Sequence, residues 1–331
     1  LHLMQATLED SPIDFRLIVE DFNKPVLGIY ATVERLDFEV MKFVVLPWSP
    51  RSKSRFFDVA AKGHIEVNKG NLAAFKMSQV RTDFETDRGD WRVYNYRAGA
   101  YGGQMNVELG GRKKDFWLHL KGTIKGIESG PLFQLSDPKM EPVMVGKMDL
   151  MADLWGDTGE EFFKTLAGTA SITTRGGRIN RFTLLSRMLE LIDLRSWLTA
   201  RFPDPRLAGL PFDVLLADFR GKGGDFQTDN FQLHGPAMEI SALGAIDVGN
   251  ATLNMEVGMS PFRTVNWLIE QVPVIGSNVA EGTGHLVAAY FQVSGPIGDP
   301  RVVPKPITSA AAFFRKFFSI PINVVRPKTI N

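Results

Sequence analysis

Cysteine is absent from all 331 residues, so the chain forms no disulfide and offers no thiolate to a metal. That fits a reducing cytosol, and it fits equally an oxidising compartment in a protein that needs no covalent staples. Charge of one sign is missing too. The 38 Lys and Arg face 37 Asp and Glu, a formal net charge of +1 with no basic tail, which removes the electrostatic footprint of a nucleic-acid binder. No run of about 18 apolar residues occurs, and no signal-peptide pattern is visible. The chain starts at Leu1 without an initiator Met, and the expectation is the soluble part of a longer protein whose membrane anchor lies outside this sequence. Histidine is scarce. None of His2, His64, His119, His234 and His285 sits in a His-x-x-x-His or His-Glu-x-x-His spacing, so no metal site is expected, and His64, His119 and His234 read as exposed polar residues at strand edges or turns.

Catalytic patterns are lacking as well. Gly221-Lys222-Gly223-Gly224 has neither Walker spacing nor a following Ser or Thr, and no Gly-x-Ser-x-Gly elbow occurs. Carboxylates such as Asp58, Glu66, Asp83 and Glu85 occupy the polar phase of strands, and nothing selects a catalytic pair among them. The expectation is a protein that is not an enzyme and carries no cofactor.

What the chain has in quantity is Phe, 24 residues, and Gly, 31 residues, the one favouring strands and the other turns. From Asp58 to Leu120 apolar and polar residues alternate, as in Gly63-His64-Ile65-Glu66-Val67 and Trp91-Arg92-Val93. A period of two puts one sheet face in grease and the other in water. Turns are placed at Asn68-Lys69-Gly70-Asn71, Asp87-Arg88-Gly89-Asp90, Tyr101-Gly102-Gly103 and Gly110-Gly111-Arg112-Lys113, which makes a meander of long antiparallel strands. Its apolar phase holds Ile65, Val67, Leu72, Phe75, Met77, Phe84, Trp91, Val93, Met105, Val107, Leu109, Phe116, Leu118 and Leu120. A protein layer or a lipid acyl chain would each cover that face, and periodicity does not choose between them.

Around the meander lie two strands, Ile13–Phe22 and Ile29–Val45, and a basic loop from Arg51 to Arg55, while residues 128–145 are irregular and hold Pro131, Pro138 and Pro142. A strand spans Lys147–Leu154. Thr158-Gly159-Glu160-Glu161 reads as a capping box before a short helix stopped by Gly168. Ile65 to Phe75 aligns with Ile172 to Phe182 at a constant offset (172 − 65 = 107), strand, glycine turn and Phe alike, which points to a duplicated unit. Leu184–Arg201 is an amphipathic helix. Hairpins follow at Phe219–Leu233 and Glu239–Val257, then a helix capped by Ser260-Pro261, and a last strand at Gly284–Ser294. Phe313, Phe314, Arg315, Lys316, Phe317 and Phe318 belong to a short amphipathic C-terminal helix, fit either for a membrane interface or for closing the end of the sheet. Four segments result: 1–57, 58–145, 146–304 with helices near 158–167, 184–201 and 261–272, and 305–331.

Across 58–304 a series of motifs occurs in order. They are Ala100-Tyr101-Gly102-Gly103; Leu166-Ala167-Gly168-Thr169-Ala170 with Gly176-Gly177-Arg178-Ile179; Leu184 to Leu194; Phe226-Gln227-Thr228-Asp229-Asn230-Phe231 with Gly244-Ala245-Ile246-Asp247; Val272-Pro273-Val274-Ile275-Gly276; and Phe291-Gln292-Val293-Ser294-Gly295-Pro296 with Asp299-Pro300. In these the chain resembles the C-terminal region of the AsmA-like superfamily, which includes the TamB and YhdP groups, and it is closest to the YhdP-like branch. The resemblance implies a long curled antiparallel β-sheet, mainly β overall, built of meander units with a few amphipathic helices at its ends. It implies anchorage in the inner membrane of a double-membraned bacterium, a location in the periplasm, and a hydrophobic groove that carries phospholipid acyl chains between the inner and outer membranes. On that basis the apolar phase of the meander, with Phe231, Leu233, Leu253, Met255 and Val257, is expected to line the groove. Two other readings stand beside it: a structural envelope protein with a dry core, and a carbohydrate-active β-protein, which would need convergent carboxylates and exposed aromatics.

Overall fold

The computed structural model describes residues 2–8, 11–20, 23–37, 60–72, 74–112, 117–135, 139–157, 161–180, 209–236, 238–261 and 289–306. They form one mainly β structure, a single sheet of sixteen strands in which spatial order equals sequence order. The strands are β1 (His2–Leu8), β2 (Ser11–Glu20), β3 (Val26–Asp37), β4 (Ala61–Leu72), β5 (Phe75–Asp87), β6 (Asp90–Ala100), β7 (Gly103–Arg112) and β8 (Trp117–Glu128). After the short helix α1 (Ser129–Phe133) come β9 (Met144–Asp157), the one-turn helix α2 (Phe162–Thr165), β10 (Ala167–Ile179), β11 (Leu210–Lys222) and β12 (Asp225–His234). The last four are β13 (Met238–Asp247), β14 (Thr252–Pro261), β15 (Ala289–Pro296) and β16 (Arg301–Pro304). β1 and β16 do not pair, so the sheet is open.

The long alternating segments become strands because each has a neighbour to satisfy its backbone on both sides. Tight turns join them where two consecutive residues accept positive φ: Arg88-Gly89 at 49° and 95°, Tyr101-Gly102 at 43° and 80°, Gly223-Gly224 at 61° and 80°. Those values are the type I′ geometry whose twist matches flanking strands. The end of the sheet carrying Leu72 and Phe75 is called here the near end, and the end carrying Asp87 and Asp90 the far end.

Several expectations change. The sheet is not wholly antiparallel: β3 and β4 run parallel, Val33 beside Val67, β3 ending at the near end and β4 beginning at the far end. Asn68-Lys69-Gly70-Asn71 and Gly110-Gly111-Arg112 lie inside β4 and β7, paired on both sides, rather than in turns. Gly176 and Gly177 likewise lie within β10, beside a register shift between Arg175 and Arg178. The glycines shared by the 107-residue repeat therefore sit in strands, and the likeness extends over one strand; Phe182 is outside the described residues. The helix expected near 158–167 shrinks to α2, which starts after Glu161 without a side-chain cap, Thr158 being outside the described residues. Ser260 and Pro261 do not open a helix; they end β14 opposite Glu239 and Met238. β1 and β16 were not foreseen. The basic loop at Arg51–Arg55, the helices over 184–201 and 262–272, and Phe313, Phe314, Arg315, Lys316, Phe317 and Phe318 lie outside the described residues. The chain leaves the described sheet at the near end after Asp37, Asn180, Pro261 and Pro306.

Bulges keep the apolar side chains on one face along strands of up to fourteen residues. In β3, β4 and β5 the buried positions step by three, Val33 to Leu36, Val67 to Gly70 and Met77 to Val80. The exposed pairs Glu34-Arg35, Asn68-Lys69 and Ser78-Gln79 lie between them, Gln79 at φ 50°. Asn95 at φ 53° and Gly126 at φ 67° do the same in β6 and β8. Turns are tied to one another as well. At the near end the Tyr101 hydroxyl donates to Ala74 O at 3.0 Å, and Glu128 N donates to Tyr101 O at 2.9 Å. At the far end Gly224 N donates to Leu166 O at 2.8 Å, Val248 N to Gly224 O at 2.9 Å, and Ile297 N to Ala251 O at 2.9 Å.

Candidate functional site

Residues directly opposite each other in a ladder point to the same face, so the register alone traces that face across the sheet. One such row runs Gly63, Phe84, Val93, Leu109, Leu120, Leu154 and Gly168. It continues through Gly221, Phe226, Ile246, Leu253 and Gly295. The row above it in β6 to β11 passes Tyr96, Val107, Gly122, Ala152, Ala170 and Phe219. Every described residue expected to line a groove falls on this face: Ile65, Val67, Leu72, Phe75, Met77, Phe84, Trp91, Val93, Met105, Val107, Leu109, Leu118, Leu120, Phe231, Leu233, Leu253, Met255 and Val257. Phe116 lies outside the described residues.

These residues are not equally covered. Among the described residues, three clusters of buried side chains form along the face. One joins Val33, Leu36, Val67, Met77, Val80 and Ala98; a second joins Ala100, Ile127 and Met148; the third runs from Met144 through Phe212, Leu233 and Val257 to Phe291 and Val293. Phe75 and Met105 touch both the first and the second, and Ile172 touches both the second and the third, so the apolar seam is continuous. From α1, Leu132 packs on the second cluster and Phe133 on the third. Within the clusters Val67 and Leu233 are about as closed as a core residue can be, at 1% exposure each. In the far-end halves of β6 to β9, by contrast, Trp91, Val93, Val107, Leu109, Leu118, Leu120 and Leu154 are all half-buried. Leu72 at the near end is exposed.

The apolar face is paved in a particular way at four places. Four glycines on the apolar face stand opposite an aromatic residue: Gly63 with Phe84, Gly111 with Trp91, Gly177 with Phe212 and Gly221 with Phe226. A Cβ added to any of them would meet the partner's ring at 2.3–2.8 Å, so each ring lies over its glycine rather than standing off the sheet. At these four positions glycine serves to make room for a ring rather than to make a turn. Of the threonines on this face, Thr174, between Met148 and Leu215, is fully buried and its Oγ1 has no hydrogen-bond partner among the described residues.

The other face is polar and laced across strands. His64 Nδ1 lies 2.7 Å from Asp83 Oδ1, and Asn95 Nδ2 donates to Asp83 Oδ2 at 2.7 Å. Arg175 donates to Asp149 at 2.6 Å, and Lys62 lies 2.7 Å from Glu20. Glu66, Asp83 and Glu85 are on this face, as their phase in the sequence requires. His64 and His119 are in strand interiors with acidic partners rather than at strand edges or turns, whereas His234 ends β12, 3.5 Å from Glu239. Hydrogen bonding to Asp83 raises the His64 pKa above its ordinary value, while hydrogen bonds from Asn95 and then His64 lower that of Asp83. Burial pushes the Tyr96 phenol up to about 12. Among the described residues no group of three or more His, Asp or Glu is placed to hold a metal ion, and no helix is long and apolar enough to cross a membrane. Comparison of the chain with protein families, with curated proteins and with solved structures finds no match.

Proposed function

We propose that this chain binds lipid acyl chains along the apolar face of its sheet, as the periplasmic portion of an inner-membrane-anchored AsmA-like protein that supports phospholipid transport between two membranes. The observation that carries the reading is the two-sided character of a sixteen-stranded open sheet, apolar on one face from β2 to β16 and ion-paired on the other. A shorter two-sided sheet needs only a helix to cover it; here the two described helices have five and four residues. Each acyl CH₂ moved from water onto such a face gains about 0.8 kcal/mol. The half-buried stretch of β6 to β8 offers few hydrogen-bonding groups, the Trp91 indole N–H and the Tyr96 phenol among mostly aliphatic side chains, so a chain would be held largely without being fixed in place. The role is binding and conduction rather than catalysis.

A dry structural core is the second reading, and the closure of Val67, Leu233 and Phe291 favours it for the two large clusters. The two readings part at Met105 and Leu118, which are half-buried between those clusters. Mass spectrometry of organic extracts of the purified protein is expected to find phospholipid, and photo-crosslinkers at Met105 and Leu118 are expected to capture it. Met105→Asp or Leu118→Asp, folded by circular dichroism, should lower the recovered lipid severalfold. A lipid-free wild type, or unchanged lipid in both folded variants, overturns the proposal.

A further inference from the structure

Two tryptophans stand where the alternation calls for polar residues. β8 and β9 show Trp117, His119 and Lys121 on the polar face opposite Asp157, Trp155 and Asp153. The ring centroids of Trp117 and His119 are 5.6 Å apart, and those of His119 and Trp155 6.4 Å, so three aromatic rings form a connected strip across two strands. His119 Nε2 is 2.6 Å from Asp153 Oδ1, which fixes the imidazole, and the Arg112 guanidinium lies 5.2 Å from the Trp117 ring. Along the row that holds His119 and Trp155, the outer neighbours are Gly110 on β7 and Ala167 on β10, the smallest side chains available. Among the described residues these two neighbours leave the Trp155 ring open, 44% exposed, while Trp117 is half-buried with Arg112 over its ring.

From this arrangement we infer a second binding site, on the face opposite the apolar one: a stacking platform for an uncharged oligosaccharide. A pyranose ring has one face of C–H groups that packs flat on an indole, and hydroxyls around its rim that need donors and acceptors. Trp155 and Trp117 supply the flat surfaces. Asp157, Asp153, His119 and Lys121 supply the rim, a few polar groups converging on an aromatic floor. Two carboxylates against Arg112 and Lys121 leave no surplus of positive charge, which disfavours anionic headgroups and nucleic acid. The site shares no residue with the lipid-binding face, and the two proposals stand or fall separately.

Saturation-transfer difference NMR on the full chain, with chitotetraose, cellotetraose and maltotetraose as probes, tests the platform. At least one sugar is expected to bind saturably, with transfer strongest to the C–H protons of one ring face. Trp155→Ala should weaken that binding about tenfold, while Trp155→Phe, which keeps a flat ring, should stay within about threefold of wild type. Both variants are checked by circular dichroism, and the Phe variant covers the case in which the Ala variant fails to fold. The inference is overturned if none of the three sugars binds at about 10 mM, or if Trp155→Ala binds as wild type does. It is also overturned if the sugars are ignored and Trp155→Ala instead loses sedimentation with phosphatidylcholine vesicles, an outcome that would assign the platform to a lipid surface.

Discussion

Asp83 receives hydrogen bonds from Asn95 and His64, while Glu66 lies 3.4 Å from the other His64 nitrogen and from Arg81. The direction of each shift fixes the pH window. A histidine whose pKa is raised by folding adds stability below its unfolded value of 6.5, and that stability is lost as pH climbs through the folded value; a carboxylate whose pKa is lowered adds stability above 3.8 and loses it in acid. The pair therefore contributes most between about pH 4 and 6.5. The gap in thermal midpoint between wild type and Asp83→Asn is expected to be widest there and to narrow towards pH 9, and His64→Gln should flatten the same profile. A gap independent of pH would remove the His64 charge from the account. Thr174 offers a test of opposite sign. Its buried hydroxyl has lost water without gaining a partner, a cost of about 1–3 kcal/mol, so Thr174→Val should raise the urea midpoint. The sequence placed Glu66, Asp83 and Glu85 on the polar face correctly, because alternation fixes the face of a side chain. It could not pair His64 with Asp83, because which residue stands opposite depends on register.

At the scale of strands, adjacent glycines answer to different neighbours. Gly111 faces the apolar side beneath the Trp91 ring, and a Cβ there would come within 2.5 Å of three ring atoms. Gly110 faces the polar side, where the nearest atom to an added Cβ is Trp91 O at 3.8 Å. Gly111→Ala must therefore lift the ring, an overpacking expected to cost about 1–3 kcal/mol and to shift tryptophan fluorescence. Gly110→Ala meets no clash and restricts the unfolded chain, so it should be neutral or stabilise by up to about 1 kcal/mol. Urea unfolding of the two variants decides the matter, and equal losses would show that the ring does not rest on Gly111. The same physics explains why Gly-Gly at 110–111 and 176–177 misled a reading of the sequence. A glycine that makes a turn and a glycine that makes room for a ring look alike until the ring's strand is known. Turns formed where Gly followed a residue tolerating positive φ and both flanks alternated, as at Arg88-Gly89 and Tyr101-Gly102.

For the whole molecule, the long strands of the sheet were legible because a period of two, interrupted in places by bulges, recurs from segment to segment. The parallel step from β3 to β4 was not, since nothing in 38–60 states which way the chain returns. β16 was hidden by Pro300, Pro304 and Pro306, residues that suit an edge strand and mimic a loop. The resulting topology has a consequence for cooperativity. Each strand packs chiefly on the strands before and after it in sequence, so the sheet behaves as a one-dimensional array in which a local defect stays local. Phe291, 1% exposed and registered between Val257 and Pro304, anchors the third cluster. Truncating it removes buried surface and leaves a cavity, about 3–5 kcal/mol for a site of this kind. In Phe291→Ala, amide hydrogen exchange across β13 to β16 is expected to accelerate by about two orders of magnitude or more, whereas β4 to β6, built on the first cluster around Val67 and Val80, should stay within about threefold of wild type. Equal acceleration at both ends would mean that the sheet opens as one unit, and that the seam through Phe75, Met105 and Ile172 couples the clusters tightly enough to make a single core.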